Sequence, residues 1–466
     1  PNIDKLATKA VRFTNCYVTD APCLPSRTAL WSGRFGYHTG VINHGGVAVQ
    51  PFIEGEEREF RDEFGTTGWM AALRQAGLKT ITFSPFGERH SAWHWYAGFS
   101  EMHTPGKGGN ERADEVAPQA IEWIKRNGNS DDWFLHINMW GPHTPYRAPA
   151  EFGNPFADDP LPEWLTEAVR RQGWEGYGPH SPQEVSGFAP IPEMAEQYGV
   201  PDALDSMDKV RQWIDGYDTG IRYADYYVGE IVAALEQAGI LDETIIMVSS
   251  DHGENQGELN VWGDHQTADQ ITCRVPLIVR WPGITDNARV DNALHYHFDF
   301  AATMIELAGG AVPNNWDGVA FTDSFKSGTE DGREFLVVSQ GAWSCQRGVR
   351  FNHGGHQYIC MRTCHDGYKM LDDVMLFDLT DDPHEQHNLA DERDDLVMKG
   401  MALLESWLTE MQQTASHTVD PMMTVLGEGG AYHTRGELPA YLERLRKTGR
   451  AHHADMLAKK HPDEVD

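Results

Sequence analysis

At 466 residues the chain can bury more than one hydrophobic core, so a large domain joined to a smaller one is the expected organisation. A hydrophobic content of 40% with 23% charged residues describes an ordinary globular protein, and no apolar run is long enough to span a bilayer. The formal net charge of −32 excludes a nucleic-acid partner, because a phosphate backbone recruits a basic surface, and an anionic substrate would need local cationic groups set against the global field.

Residues 1–7 predict a helix, and no initiator methionine precedes them. Residues 11–18 alternate apolar with polar and predict a strand. Ala21-Pro22-Cys23-Leu24-Pro25-Ser26-Arg27 follows and runs on to Leu30-Trp31-Ser32-Gly33-Arg34. Cys23 stands where a helix should begin, and unpaired N–H groups with a partial positive charge suit a nucleophile that attacks an anionic ester. By position alone a cysteine before a helix is more often a packed apolar thiol. Gly45, Gly46 and residues 51–59 make a polar loop. Residues 66–76 predict a helix stopped by Gly77, 79–83 a short apolar strand, and 111–126 an amphipathic helix.

The strand predicted over 133–138 runs into Trp140-Gly141-Pro142-His143-Thr144-Pro145-Tyr146. This puts His143 at a strand's carboxyl end, where open α/β sheets bind ligands. Residues 147–208 are rich in Pro, Gly and acidic residues without a sustained period, and a loop that long has a job or is disordered. Its Trp174, Tyr177 and His180 either line a sugar subsite or tuck back onto the body. The longest helical pattern covers 208–239. Beyond it, Thr244-Ile245-Ile246-Met247-Val248 leads to Ser250-Asp251-His252-Gly253-Glu254 and reads as a central parallel strand buried on both faces, with Asp251 and His252 at its carboxyl end.

In Gly263-Asp264-His265-Gln266, His265 can transfer protons near neutrality, whereas Asp264 would need a strongly raised pKa. A strand over 274–283 and a helix over 299–308 follow. The polar stretch 324–332 separates a first domain, 1–328, from a second, 329–466. The second shows strands at 335–339, 348–351, 357–361 and 375–379, a helix at 393–412, another at 439–447, and nothing catalytic in the tail from Pro421. The six cysteines, Cys16, Cys23, Cys273, Cys345, Cys360 and Cys364, are too few for a disulfide scaffold. Cys360-Met-Arg-Thr-Cys364-His365 reads as part of a metal site, a local bridge or plain thiols.

Cys-x-Pro-Ser-Arg followed by Leu-x-x-Gly-Arg, and Ser-Asp-His-Gly some 220 residues later, resemble the two signatures of the type I sulfatases of the alkaline-phosphatase-like superfamily. The resemblance implies an α/β fold: a large domain with a central, mostly parallel mixed sheet flanked by helices, and a smaller C-terminal α+β domain with an antiparallel sheet. It implies that Cys23 is oxidised to formylglycine by a generating or maturase enzyme, and that the hydrated aldehyde is the nucleophile. Arg27 would orient it, with one divalent ion, Ca2+, bound by Asp251, His252 and the modified residue 23. The family's Gly-Lys-x-His becomes Gly87-Glu88-Arg89-His90 here, so His90 is kept and Arg89 is the candidate replacement cation, in a different geometry from lysine. A second family lysine is replaced by Asp264-His265. His143 and His265 would then contact sulfate and protonate the leaving alcohol, with His90 taking a proton during sulfate release.

The family's first strand, which ends in two metal-binding aspartates, has no counterpart in this sequence, so weak metal binding is expected. The resemblance further implies a sulfated saccharide substrate, with Trp174 a candidate contact, and a periplasmic or secreted location. A phosphodiester or phosphonate monoester hydrolase and a non-catalytic carbohydrate-binding relative stand as alternatives.

Overall fold

The computed structural model describes residues 1–55 and 62–465. Residues 56–59 of the predicted loop lie outside the described residues. The strand Val11–Tyr17 pairs in parallel with Arg289–Asp291 and with His295–Tyr296, and antiparallel with Arg274–Arg280. Arg274–Arg280 pairs on its other side, again antiparallel, with Ile246–Ser249. In a separate three-stranded sheet, Lys79–Phe83 lies between Glu101–His103 and Trp133–Ile137, all parallel. The architecture is therefore the expected mixed α/β, flanked by helices that include the long Met207–Gln237.

One expectation is corrected. Ile246–Ser249 is not a parallel strand buried on both faces: its recorded partner is antiparallel, and its residues are half-buried to exposed. Trp133–Ile137 is likewise only half-buried along its length. The physical reason is a cavity of about 1420 Å³ that both strands line, together with Leu235 and Val228 of the long helix and Trp69, Leu73 and Met304. At its far end the cavity reaches Cys23, Asp251 and His252.

The predicted helix over 66–76 is two, Glu63–Thr67 and Trp69–Gln75, because Gly68 takes an extended conformation between them. In the long loop, Glu167–Glu175 and Pro192–Tyr198 are helical. Four strands near the C-terminus, Val374–Asp378, His356–His365, Cys345–His353 and Phe335–Gln340, form an antiparallel sheet in that order, and Asp20–Ala21 adds to it in parallel beside Ser339 and Gln340. The residues just before Cys23 are thus pinned to the second sheet. Leu396, Leu404, Trp407 and Met411 of the helix Asp394–Thr414 cover that sheet, each large apolar side chain contributing about 1.5–3 kcal/mol by leaving water. All six cysteines are free, five of them buried, so the Cys360 to Cys364 stretch forms no bridge. No described helix is long and apolar enough to cross a membrane.

The final helices are clasped to the sheet through charge. Buried Asp366 accepts from His461 Nε2 at 2.9 Å and lies 2.9 Å from Lys460 Nζ. Burial alone would raise its carboxyl, but these cations outweigh it and hold Asp366 at about 2. The folded value lies below the unfolded one of about 3.9, so the stabilisation is complete above roughly pH 4 and disappears as pH falls toward about 2. Asp366→Asn is therefore expected to lower stability near neutrality by about 2 kcal/mol and to converge with the parent in acid, followed by urea unfolding across pH. Parallel pH profiles for the two proteins would contradict this.

Candidate active site

Cys23 begins the helix Cys23–Ser32, which ends at Gly33 with φ +69° and its N–H on Ala29 O at 2.9 Å. A Cβ at Gly33 would stand 1.9 Å from the Trp316 ring, so the left-handed cap and the close packing both require glycine. Along the helix, Trp31 packs against Trp69 and Trp95, which fixes the helix within its layer. Asp251, His252 and Gly253 continue beyond Ile246–Ser249, and Gly253 passes so close to Ile271 that an added Cβ would lie 1.9 Å from its carbonyl oxygen. Two segments more than two hundred residues apart meet there: His252 Nε2 lies 3.1 Å from Cys23 Sγ, and Arg27 Nε donates to Asp251 Oδ2 at 2.9 Å.

His143 and His265 complete the cluster. One ligating atom from each of Cys23, His143, His252 and His265 lies within 4.8 Å of the others. Their rings pack closely, with centroids 5.0 Å apart for His143 and His265 and 4.0 Å for His252 and His265. Burial by itself would push the thiol up, but the charge on His252 and hydrogen bonds involving His143, His252 and His265 hold Cys23 well below the ordinary thiol value. Burial likewise opposes charge on His252, but Asp251 and Cys23 raise it to about 10. Both shifts favour a thiolate–imidazolium pair at a helix start.

The candidate cations behave differently from one another. Arg89 lies with its guanidinium 3.9 Å from the Trp140 ring centroid, lining the same cavity as Cys23. His90 lines it too, stacked near Phe86 and His44 and held below its ordinary value by burial, with Cys23 pulling the other way. His265 is pushed down to about 4, first by burial and then by the neighbouring His252 charge. Asp264, bonded to His180 Nε2 at 2.8 Å and beside His265 Nδ1 at 3.3 Å, is held well below the carboxylate range although burial opposes it. A carboxyl held ionised in this way cannot serve as the proton donor that a raised pKa would have made it.

Trp174 sits on the helix Glu167–Glu175, and Tyr177 packs into the C-terminal helices. From that loop it is His180 that reaches the site, through Asp264.

Sequence reasoning missed a wall supplied by distant segments. His44 Nδ1 and His433 Nε2 are 2.9 Å apart, His433 stacks on Trp343, and Trp343 meets His180 edge-on. Behind Trp343, Lys369 Nζ is buried without a hydrogen-bond partner, and burial lowers it to about 7 despite Asp264 and Asp366. Glu254 was also missed: it accepts from Thr144 N–H at 3.1 Å and Tyr146 OH at 2.9 Å, fixing the loop that carries His143. The adjacency of Glu254 to the Ser-Asp-His-Gly motif was a signal; nothing local marked Trp343, Lys369 or His433.

The model of the Sulfatase family matches residues 1–311, and a second, for the C-terminal part of N-sulphoglucosamine sulphohydrolase, matches 257–414. A choline-sulfatase of Rhizobium meliloti is 26% identical over 84% of this chain and 77% of its own length. An N-acetylglucosamine-6-O-sulfatase of Bacteroides thetaiotaomicron is 23% identical over 92% and 85%. The structure of BT4656 in complex with its substrate D-glucosamine-2-N,6-O-disulfate superposes with a TM-score of 0.65 at 20% identity, over 89% of this chain and 93% of that one. The phosphonate monoester hydrolase of Silicibacter pomeroyi gives the same score and identity, over 90% and 91%.

Proposed function

Given that the chain belongs to the sulfatase family, we propose that this sulfuric ester hydrolase removes sulfate from a sulfated carbohydrate through a formylglycine made from Cys23. The observation that carries the reading is the convergence of Cys23 with Arg27, Asp251, His143 and His252 at the cavity, with His265 in the same cluster. A saccharide substrate is supported by the N-acetylglucosamine-6-O-sulfatase relative and by the glucosamine disulfate in the BT4656 complex. Mass spectrometry of the Cys23 peptide from a host with a converting enzyme should show loss of the thiol in favour of the aldehyde. A quantitative free thiol in a preparation that turns over sulfate esters would sink the proposal.

When formed, formylglycine supplies a hydrated aldehyde as nucleophile. Arg27, held by Asp251, fixes the start of the helix that carries it. Asp251, 3.6 Å from His252 Nε2, favours a positive charge there beside residue 23, which suits a developing or transferred sulfate. Arg89, clamped on Trp140, presents a further cation to the ester oxygens. The proton for the departing sugar oxygen is assigned to His143, which lines the cavity beside Cys23 and whose Nδ1 is anchored on the Thr144 carbonyl at 2.5 Å, whereas burial disfavours charge on His265. His143→Ala is expected to cost about 10²–10⁴-fold on a sugar sulfate and far less on 4-nitrophenyl sulfate, whose leaving group needs no proton. Equal losses on both substrates would return the donor role to another residue.

The donors around Cys23 do not fit calcium, which seeks six or more oxygens. Asp251 is engaged by Arg27, Glu254 by Thr144 and Tyr146, and Asp264 by His180 and His265. The cavity between Trp133–Ile137 and Ile246–Ser249 has the apolar lining and the flanking strands to admit one more strand, and carboxylates at the end of such a strand would arrive beside Asp251.

A further inference from the structure

We propose that, while residue 23 is still a thiol, Cys23, His143, His252 and His265 form a tetrahedral site for a soft divalent cation of the zinc type. This does not depend on conversion to formylglycine or on the sulfatase reading; it concerns the unmodified chain. One sulfur and three imidazole nitrogens, one atom from each residue, already lie within 4.8 Å of one another. Zinc bonds of about 2.3 Å to sulfur and about 2.0 Å to nitrogen place tetrahedral ligands roughly 3.3–3.5 Å apart, so closure needs side-chain shifts on the order of an ångström. His252 Nε2 and Cys23 Sγ, at 3.1 Å, are already that close.

The outer contacts are those of a built site. Metal-bound histidines keep one ring nitrogen on the ion and give the other N–H to an oxygen, which fixes tautomer and orientation. Two rings have an oxygen at Nδ1, His252 on Gly253 O at 2.8 Å and His143 on Thr144 O at 2.5 Å, which leaves their Nε2 atoms for the ion, while His265 Nδ1, buried without a hydrogen-bond partner, lies 3.3 Å from Asp264 Oδ1. Cys23, His252 and His265 are between 4% and 8% exposed, so the cluster is dry enough to favour direct ligation. Because the neighbouring carboxylates are engaged elsewhere, the donor set is sulfur and nitrogen, which selects zinc over calcium or magnesium.

The binding step balances without redox chemistry. One metal–sulfur and three metal–nitrogen bonds form, and the proton shared between Cys23 and His252 passes to solvent. Conversion of residue 23 to an aldehyde removes the sulfur ligand and so dismantles the site.

The test uses the full chain produced without a converting enzyme, with the thiol at position 23 verified by mass. Addition of Co2+ should give one equivalent of bound ion with a thiolate-to-cobalt charge-transfer band in the near ultraviolet, and Zn2+ should abolish that band by displacement. Zn2+ should also slow alkylation of Cys23 by iodoacetamide at least tenfold, a readout on the unaltered chain that does not rely on any variant folding. Cys23→Ser should lose the band and His265→Ala should weaken binding. A band that survives Cys23→Ser, equal protection by Ca2+, or alkylation indifferent to Zn2+ would overturn the proposal. None of these results bears on whether the converted protein hydrolyses sulfate esters.

Discussion

Cys23→Ala is expected to abolish sulfate ester hydrolysis, by roughly 10⁴-fold or more, while leaving the protein folded. On the proposed reading the converted side chain supplies the nucleophile, and no neighbouring group can replace it: His143, His252 and His265 surround the position as nitrogen donors, and Arg27 is committed to Asp251. The cost to folding is small by comparison. Cys23 packs at the edge of a cluster with Leu24, Trp31, Phe86 and Trp95, and alanine keeps the helix start and its packing. What is lost is one partner of His252, and leaving a buried donor without its acceptor costs about 1–3 kcal/mol. Turnover of 4-nitrophenyl sulfate and of a glucosamine 6-sulfate, measured beside thermal unfolding, separates the two effects. Residual activity within tenfold of the parent in a folded variant would end the assignment of Cys23.

Glu184→Ala should be the most destabilising single change outside the active site, at about 3–5 kcal/mol. Glu184 is fully buried in the loop after Glu167–Glu175, and its carboxylate holds Arg444 Nε at 2.7 Å and Arg450 at 2.5 and 3.1 Å, with Ser181 OH at 2.5 Å. Removal leaves Arg450, only 5% exposed at its side chain, as an uncompensated charge against Gly176 O. The effect should reach the active site as well. The His180 N–H donates to the Glu184 carbonyl, and His180 Nε2 holds Asp264, which faces His265. A shifted His180 should therefore raise KM or lower kcat in whatever fraction stays folded. Chemical denaturation gives the first quantity and steady-state kinetics the second; a stability within 1 kcal/mol of the parent would show that the two arginines find other partners.

The sequence by itself determined the chemistry-bearing positions wherever a short motif sits at a strand's carboxyl end or a helix start. Cys23 and Arg27 on one helix, His143 after Trp133–Ile137, and Asp251 and His252 after Ile246–Ser249 were all legible, because local backbone geometry aims those side chains and leaves a fixed spacing in the chain. The mixed α/β class and the antiparallel C-terminal sheet followed from the family resemblance that the two motifs carry, with apolar runs marking several of the strands.

Only the tertiary structure decided which charges meet. It tied Asp264 to His180, pushed His265 down through burial and then the His252 charge, and brought Lys369, Trp343 and His433 together from the C-terminal part. It also opened the edge of a strand that reads in sequence as fully buried, since an apolar run records that a strand wants neighbours but not which neighbours it has. Local patterns are written by backbone geometry over a few residues. Pairings of charge and shape across hundreds of residues leave no such period, because they are fixed only when the chain closes on itself.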